Sequence, residues 1–112
     1  MGELKFDRFF LIGGPCVIES RQVTIQIARR LAIFCRQRKL PLIFKASYDK
    51  ANRSSHRSFR GPGLDRGLET LRAVAEITGL PILTDVHCRA EVEMAAQVAT
   101  VLQIPAFLLE DR

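Results

Sequence analysis

Four apolar runs punctuate the chain, at residues 9–18 (FFLIGGPCVI), 40–47 (LPLIFKAS), 80–87 (LPILTDVH) and 100–108 (TVLQIPAFL). They are apolar up to their carboxyl ends and do not alternate apolar with polar residues there, which is the pattern of strands covered on both faces. Between them lie segments of helical period. Residues 21–39 carry Val23, Ile27, Ala28, Leu31, Phe34 and Cys35 three or four apart, with the arginines largely on the opposite face. Residues 64–78 carry Leu64, Leu68, Leu71, Val74 and Ala75 on one face and stop before Gly79 and Pro81. Residues 89–98 read as a third helix. Apolar strands separated by helices predict a parallel sheet covered by helices. Two architectures meet that description: an open doubly wound sheet, or the first half of an eightfold β/α barrel, which in full needs about 250 residues. The first strand is followed by GGPCVIES and not by Gly-x-Gly-x-x-Gly, so a dinucleotide site is not expected.

The 112 residues, 47% hydrophobic and 26% charged, suit a single domain spanning 1–112. The longest nearly apolar stretch is ten residues, broken by two glycines and a proline, against the roughly 20 that a membrane span requires. The amino terminus MGELKFDRFF lacks the apolar core of a secretory signal, and three widely spaced cysteines form no disulfide or zinc framework. A reduced, cytoplasmic location is the expectation. The net charge of +5 is uneven: residues 1–60 hold 13 Lys and Arg against 4 Asp and Glu, whereas residues 61–112 hold 4 against 8. The basic excess peaks in FKASYDKANRSSHRSFRGPG, residues 44–63, with five Lys and Arg and four serines. Such a cluster suits a small phosphorylated or carboxylated ligand, a nucleic acid or a merely solvated face. Aromatic residues make up only 7% and do not interleave with the cations, which disfavours a nucleic-acid stacking platform.

Each apolar run turns polar at its carboxyl end: Cys16, then Lys45 and Ser47, then Asp85 and His87, then Gln103. Strand periodicity puts Lys45 with Ser47 on one face, and Asp85 with His87 on one face. Ligands of parallel α/β folds bind beyond the carboxyl ends of the strands, so the four ends point to one polar site, against the alternative of four independent ends becoming wet as they leave the core. A lysine in an apolar strand either snorkels to solvent or meets an anion. Lys50 and Arg53 follow it closely, with Asn52, Ser54 and Ser55 as neutral hydrogen-bonding groups, a set that suits phosphate. Cys16 by itself reads more readily as a small hydrophobe than as a metal ligand. His87 by itself reads as a hydrogen-bonded structural histidine, Cys35 as core, and Cys88 has no identifiable partner. SFRGPG, residues 58–63, is a turn before a helix with Phe59 as an apolar plug.

GGPCVIES, FKASYDKANRSS, SFRGPG, TDVH and LQIPAF occur in the order and at the spacing of the 3-deoxy-manno-octulosonate-8-phosphate synthases, which the chain resembles from about residue 10 to residue 108. The related 3-deoxy-heptulosonate-7-phosphate synthases, the alternative assignment, share a Gly-Pro-Cys start but carry Lys-Pro-Arg-Thr where this chain has KANRSS. The resemblance implies a (β/α)8 barrel, usually a homotetramer, that condenses phosphoenolpyruvate with arabinose-5-phosphate and releases phosphate in lipopolysaccharide synthesis. Carried over by position, Lys45 and Ser47 would hold the phosphoenolpyruvate carboxylate and Lys50 its phosphate. Asn52, Arg53, Ser54 and Asp85 would hold arabinose-5-phosphate, while Gln103, Pro105 and Ala106 would line the site. Phe59 and Arg60 would lie near a neighbouring subunit's site.

Cys16 matches the metal-requiring class of this family, which implies a divalent zinc, iron or manganese ion. The remaining ligands, a histidine, a glutamate and an aspartate, belong to later strands of the family, and His87 is not one of them. After IPAFL the sequence LEDR departs from the family's Arg-Gln-Thr-Asp. The expectation is therefore an incomplete, amino-terminal portion of the barrel, inactive and prone to associate by itself. The competing reading is a phosphate- or phosphosugar-binding fragment without catalysis.

Overall fold

The structure, a computed structural model, describes residues 7–50 and 61–106. Four strands, β1 (Leu11–Gly13), β2 (Leu42–Lys45), β3 (Ile82–Asp85) and β4 (Val101–Gln103), form one sheet in the order β1-β2-β3-β4, and every pairing is parallel. The helices are α1 (Arg21–Gln37), α2 (Leu64–Thr78) and α3 (Val92–Ala96). This order decides between the two architectures that the sequence allows. A doubly wound sheet reverses its strand order at a switch point, whereas a barrel adds each strand beside the one before it. Consecutive order with a helix in every crossover fits the amino-terminal part of a (β/α)8 barrel.

The two faces of β2 divide the chain's apolar and polar chemistry. Phe44, Ala46 and Tyr48 join Ile82 and Val86 of β3 and its extension, and Ala28, Leu68, Leu71 and Val74 of the helices, in one buried cluster. Lys45 and Ser47, by alternation, face the other way. Small residues let α1 lie close to the sheet: its buried positions are Thr24, Ala28, Ala32 and Cys35. The apolar stripe expected from periodicity is therefore rotated. Val23 and Phe34 are exposed, and Phe34 is covered by the Arg38 guanidinium, 3.6 Å from its ring centre, instead of by the core. The Ser20 hydroxyl caps α1 by accepting from the Val23 N–H at 3.1 Å.

The outer runs form shorter strands than expected. Residues 9–18 contribute three residues to β1, with Phe9 80% and Ile12 46% exposed, and residues 100–108 contribute three to β4. Among the described residues, β1 and β4 each have a neighbour on one side only, and the Gly13-Gly14-Pro15 break interrupts the first ladder. The third helix is also shorter, opening as a 3-10 turn over Arg89–Glu91 before α3. By contrast α2 spans the expected residues and ends at Gly79 in the left-handed conformation, φ 73°.

Gly67 lies inside α2, where alanine is ordinarily favoured by about 1 kcal/mol. A Cβ there would overlap the Cβ of fully buried Tyr48. Overpacking of this kind costs about 1–3 kcal/mol, so the clash outweighs the propensity gain. Gly67→Ala is expected to lower stability by about 1–2 kcal/mol, read as a lower urea midpoint with an unchanged m-value.

Candidate active site at the carboxyl ends of the strands

Parallel pairing brings all four carboxyl ends to one edge of the sheet. The chain leaves β1 through Gly14, where a Cβ would run into the Lys45 carbonyl oxygen, so only glycine lets the backbone lie this close to β2. Pairing then resumes beyond the Gly-Gly-Pro break. The Ser47 N–H donates to the Cys16 carbonyl at 3.4 Å, the Ile18 N–H donates to the Ser47 carbonyl at 3.0 Å, and Val17 bridges Ser47. The break is thus a bend within a strand pair and not its end. It leaves the Cys16 side chain exposed beside the tip of β2.

On the other side of β2, the Ser47 hydroxyl donates to Asp85 Oδ1 at 2.5 Å, and both residues are buried. The Thr84 hydroxyl donates to the Ala46 carbonyl at 2.8 Å and fastens the same two strand ends together. Asp85 Oδ2 lies 3.5 Å from His87 Nε2, too long for a good hydrogen bond. The His87 side chain is 8% exposed, yet neither ring nitrogen has a hydrogen-bond partner among the described residues. The side-chain hydrogen bond expected of a structural His87 is not found among the described residues. Gln103 faces Asp85 in register; its carbonyl accepts from the Val86 N–H at 3.1 Å, and its side chain is exposed. Pro105 is half-buried and Ala106 exposed just beyond.

Lys45 and Lys50 are both half-buried, and among the described residues neither has an ion-pair partner. Asn52, Arg53, Ser54, Phe59 and Arg60 lie outside the described residues. The Gly63 N–H donates to the Tyr48 carbonyl at 3.1 Å, which holds the start of the 61–106 stretch at the tip of β2. Sequence reasoning missed two residues. The Tyr48 hydroxyl donates to Glu91 Oε1 at 2.6 Å, and the His87 N–H donates to the same oxygen at 3.2 Å. A buried tyrosine signals the need for a polar partner, but nothing local identifies one that lies 43 residues away. Burial, followed by the bond to Glu91 and its negative charge, raises the Tyr48 pKa well above the ordinary phenol value. No group of three or more His, Cys, Asp or Glu side chains among the described residues is placed to hold a metal, and the exposed Cys16 thiol would supply one ligand only.

Consecutive parallel β/α units, with buried polar groups gathered where the strands end, define a chain of the β/α-barrel class. The chain belongs to the DAHP synthetase I family, whose model matches residues 5–112. It is 56% identical over 107 residues to a 2-dehydro-3-deoxyphosphooctonate aldolase of Paraburkholderia xenovorans, covering 95% of this chain and 38% of the relative. A protein of the same name from Geotalea daltonii is 56% identical over 111 residues, covering 96% and 41%, and one from Syntrophobacter fumaroxidans is 53% identical over 102 residues, covering 91% and 35%. The chain spans about two-fifths of the length of these curated relatives. The octulosonate branch, favoured by KANRSS, agrees with the names of these relatives.

Two outcomes follow from this geometry. Ser47→Ala removes the donor to a buried carboxylate and is expected to cost about 2 kcal/mol, within the range for hydrogen bonds to charged groups, measured by urea unfolding at pH 7. Above pH 10 the unfolded tyrosine loses its proton while folded Tyr48 keeps it. The native state then binds more protons than the unfolded state, so stability falls as pH rises. The expected slope from this group is about 1.4 kcal/mol per pH unit above pH 10, and it should be absent in Tyr48→Phe when the two are unfolded in parallel between pH 9 and 11.

Proposed function

We propose that this chain carries the amino-terminal part of a synthase that condenses phosphoenolpyruvate with D-arabinose-5-phosphate, giving 3-deoxy-D-manno-octulosonate-8-phosphate and phosphate for lipopolysaccharide synthesis. The observation that supports it best is the placement of Lys45, Ser47 and Asp85 at the carboxyl ends of neighbouring parallel strands, with Ser47 hydrogen-bonded to Asp85. The similarity to octonate aldolases supports the eight-carbon product. A cytoplasmic location and a homotetramer accompany this reading.

In the reaction, carbon 3 of phosphoenolpyruvate attacks the sugar aldehyde and the aldehyde oxygen takes a proton. Water adds at carbon 2, and the carbon–oxygen bond to phosphate breaks, so one water is consumed and one phosphate released. Lys45 would hold the phosphoenolpyruvate carboxylate and Lys50 its phosphate, so that cationic charge faces the anions throughout. Arg53 and Ser54 would hold the sugar phosphate, with Asn52 and Asp85 on sugar hydroxyls. Gln103, Pro105 and Ala106 would line the far wall. Ser47 has one hydroxyl proton, and in the structure it is given to Asp85. Donation to a substrate carboxylate therefore requires the hydroxyl to switch partners, which would release an Asp85 oxygen for the sugar. Cys16 would offer one thiolate to a divalent zinc, iron or manganese ion. The described residues do not complete a donor set around it.

Titration calorimetry with each substrate, alongside phosphate release with and without arabinose-5-phosphate and a chelator, tests the reading. Lys45→Met is expected to weaken phosphoenolpyruvate binding tenfold or more, as about 1.5–3 kcal/mol of charge-assisted hydrogen bonding implies, and to leave arabinose-5-phosphate binding within about twofold. Binding of both substrates without phosphate release would favour a phosphosugar-binding role. Phosphoenolpyruvate binding that is indifferent to Lys45→Met would overturn the proposal.

A further inference from the structure

His87 presents a physical difficulty. Burying an imidazole with no hydrogen bond at either nitrogen costs about 1–3 kcal/mol, and a side chain free to turn would seek water or a carboxylate oxygen at proper distance. It is instead held from two sides. Its backbone N–H is fixed by Glu91 Oε1 at 3.2 Å, and its ring stands edge-on to the Tyr48 ring, centroids 5.2 Å apart and planes at 87°. Tyr48 is held in turn, with its hydroxyl on the same Glu91 oxygen at 2.6 Å and its Cβ packed against Gly67 of α2. Glu91 sits at the end of the 3-10 turn Arg89–Glu91, where its N–H donates to the Cys88 carbonyl at 3.2 Å, so the carboxylate reaches back over the residues that follow β3.

We propose that Glu91 is a positioning residue of the strand-end site. It ties Tyr48 and the His87 backbone to one carboxylate oxygen, and so presents the His87 imidazole, its ring nitrogens without a hydrogen bond among the described residues, beside Asp85 to the hydroxyl or phosphate oxygens of a phosphorylated sugar. The ligand class rests on the function proposed above; the clamp itself does not. Asp85 spends Oδ1 on Ser47 and leaves Oδ2 3.5 Å from His87 Nε2. A ligand hydroxyl entering there could donate to the carboxylate and accept from the imidazole, which satisfies the orphaned nitrogen at the moment of binding. The unpaired histidine is thereby a cost of folding that is recovered as affinity.

The chain offers clean probes, because Tyr48 is its one tyrosine, it has no tryptophan, and its histidines are His56 and His87. Ring resonances of His87, identified by their persistence in His56→Ala, are compared in wild type, Glu91→Gln, Glu91→Ala and Tyr48→Phe without ligand. The neighbouring Tyr48 ring current should displace the His87 ring protons from their unfolded-chain positions in wild type. Glu91→Gln, whose amide oxygen still accepts both bonds, should keep that shift. Glu91→Ala should lose it, with the Tyr48 emission intensity changing in step. A folded Glu91→Ala chain with unchanged His87 resonances overturns the clamp. Should Glu91→Ala fail to fold, Tyr48→Phe decides: it keeps the ring and loses the anchor, and His87 resonances that do not move in it overturn the clamp equally. Arabinose-5-phosphate added to wild type should then shift the His87 resonances, with about tenfold weaker apparent affinity in Glu91→Ala or, if that chain does not fold, in Tyr48→Phe. An intact clamp with no response to the sugar phosphate overturns the ligand assignment alone.

Discussion

Three glycines press their backbones against the tip of β2. Gly14 approaches the Lys45 carbonyl, Gly61 the Tyr48 carbonyl and Gly67 the Tyr48 Cβ, each so closely that a methyl group would not fit. The tip therefore has no room to shift along the sheet or to twist away from it. Its position fixes where β1 bends, where the chain at Gly61 lies and how near α2 lies to the sheet. Close approach of this kind gives little energy of its own, but it removes alternatives, and it holds the side chains at the strand ends in fixed places.

The polar groups at the tip are there at a cost in stability that the fold offsets locally. A buried carboxylate is costly unless hydrogen-bonded, and Asp85 obtains a short bond from Ser47 across the β2–β3 pair. Replacing both by apolar residues of similar shape would be close to neutral or stabilising, so this pair does not explain why the sheet holds together. The apolar cluster around Phe44, Leu71, Val74 and Ile82 does that. The pair sets the direction of two oxygens, and its retention in an otherwise apolar interior argues for chemistry at that place.

The sequence makes the parallel β/α order and the polar strand ends legible because both rest on short-range periodicity. Lys45 and Ser47 share a face by period two, and α2 is bounded by glycine and proline that act where they stand. The outer strands are harder to read, since residues such as Phe9 and Ile12 are apolar for reasons that a single strand's pattern does not contain. The choice between a barrel and a doubly wound sheet is invisible at this range as well. It depends on which strands become neighbours, and both orders have the same local signature. The rotation of the α1 stripe toward Thr24, Ala28 and Ala32 shows a further limit: a helix turns to bring small residues to a crowded sheet even when larger apolar ones are available. The Tyr48–Glu91 contact joins residues with no shared pattern at all.

Period two also explains how five residues serve fold and site together. Positions 44, 46 and 48 face the helices and are as apolar as a core requires, while positions 45 and 47 face the other way and carry the ionic and hydroxyl groups. A slip of one residue in the β2 pairing would exchange the two sets, burying a lysine among the helices and moving Phe44 into the site. In a flat polar strand such a slip is cheap. Here it would also drive side chains into the places now filled by Gly14 and Gly67, and it would break the Ser47–Asp85 and Tyr48–Glu91 bonds at once. Register, packing and site geometry are thus one constraint, and a substitution at any of these glycines should disturb the site without touching a residue that meets substrate.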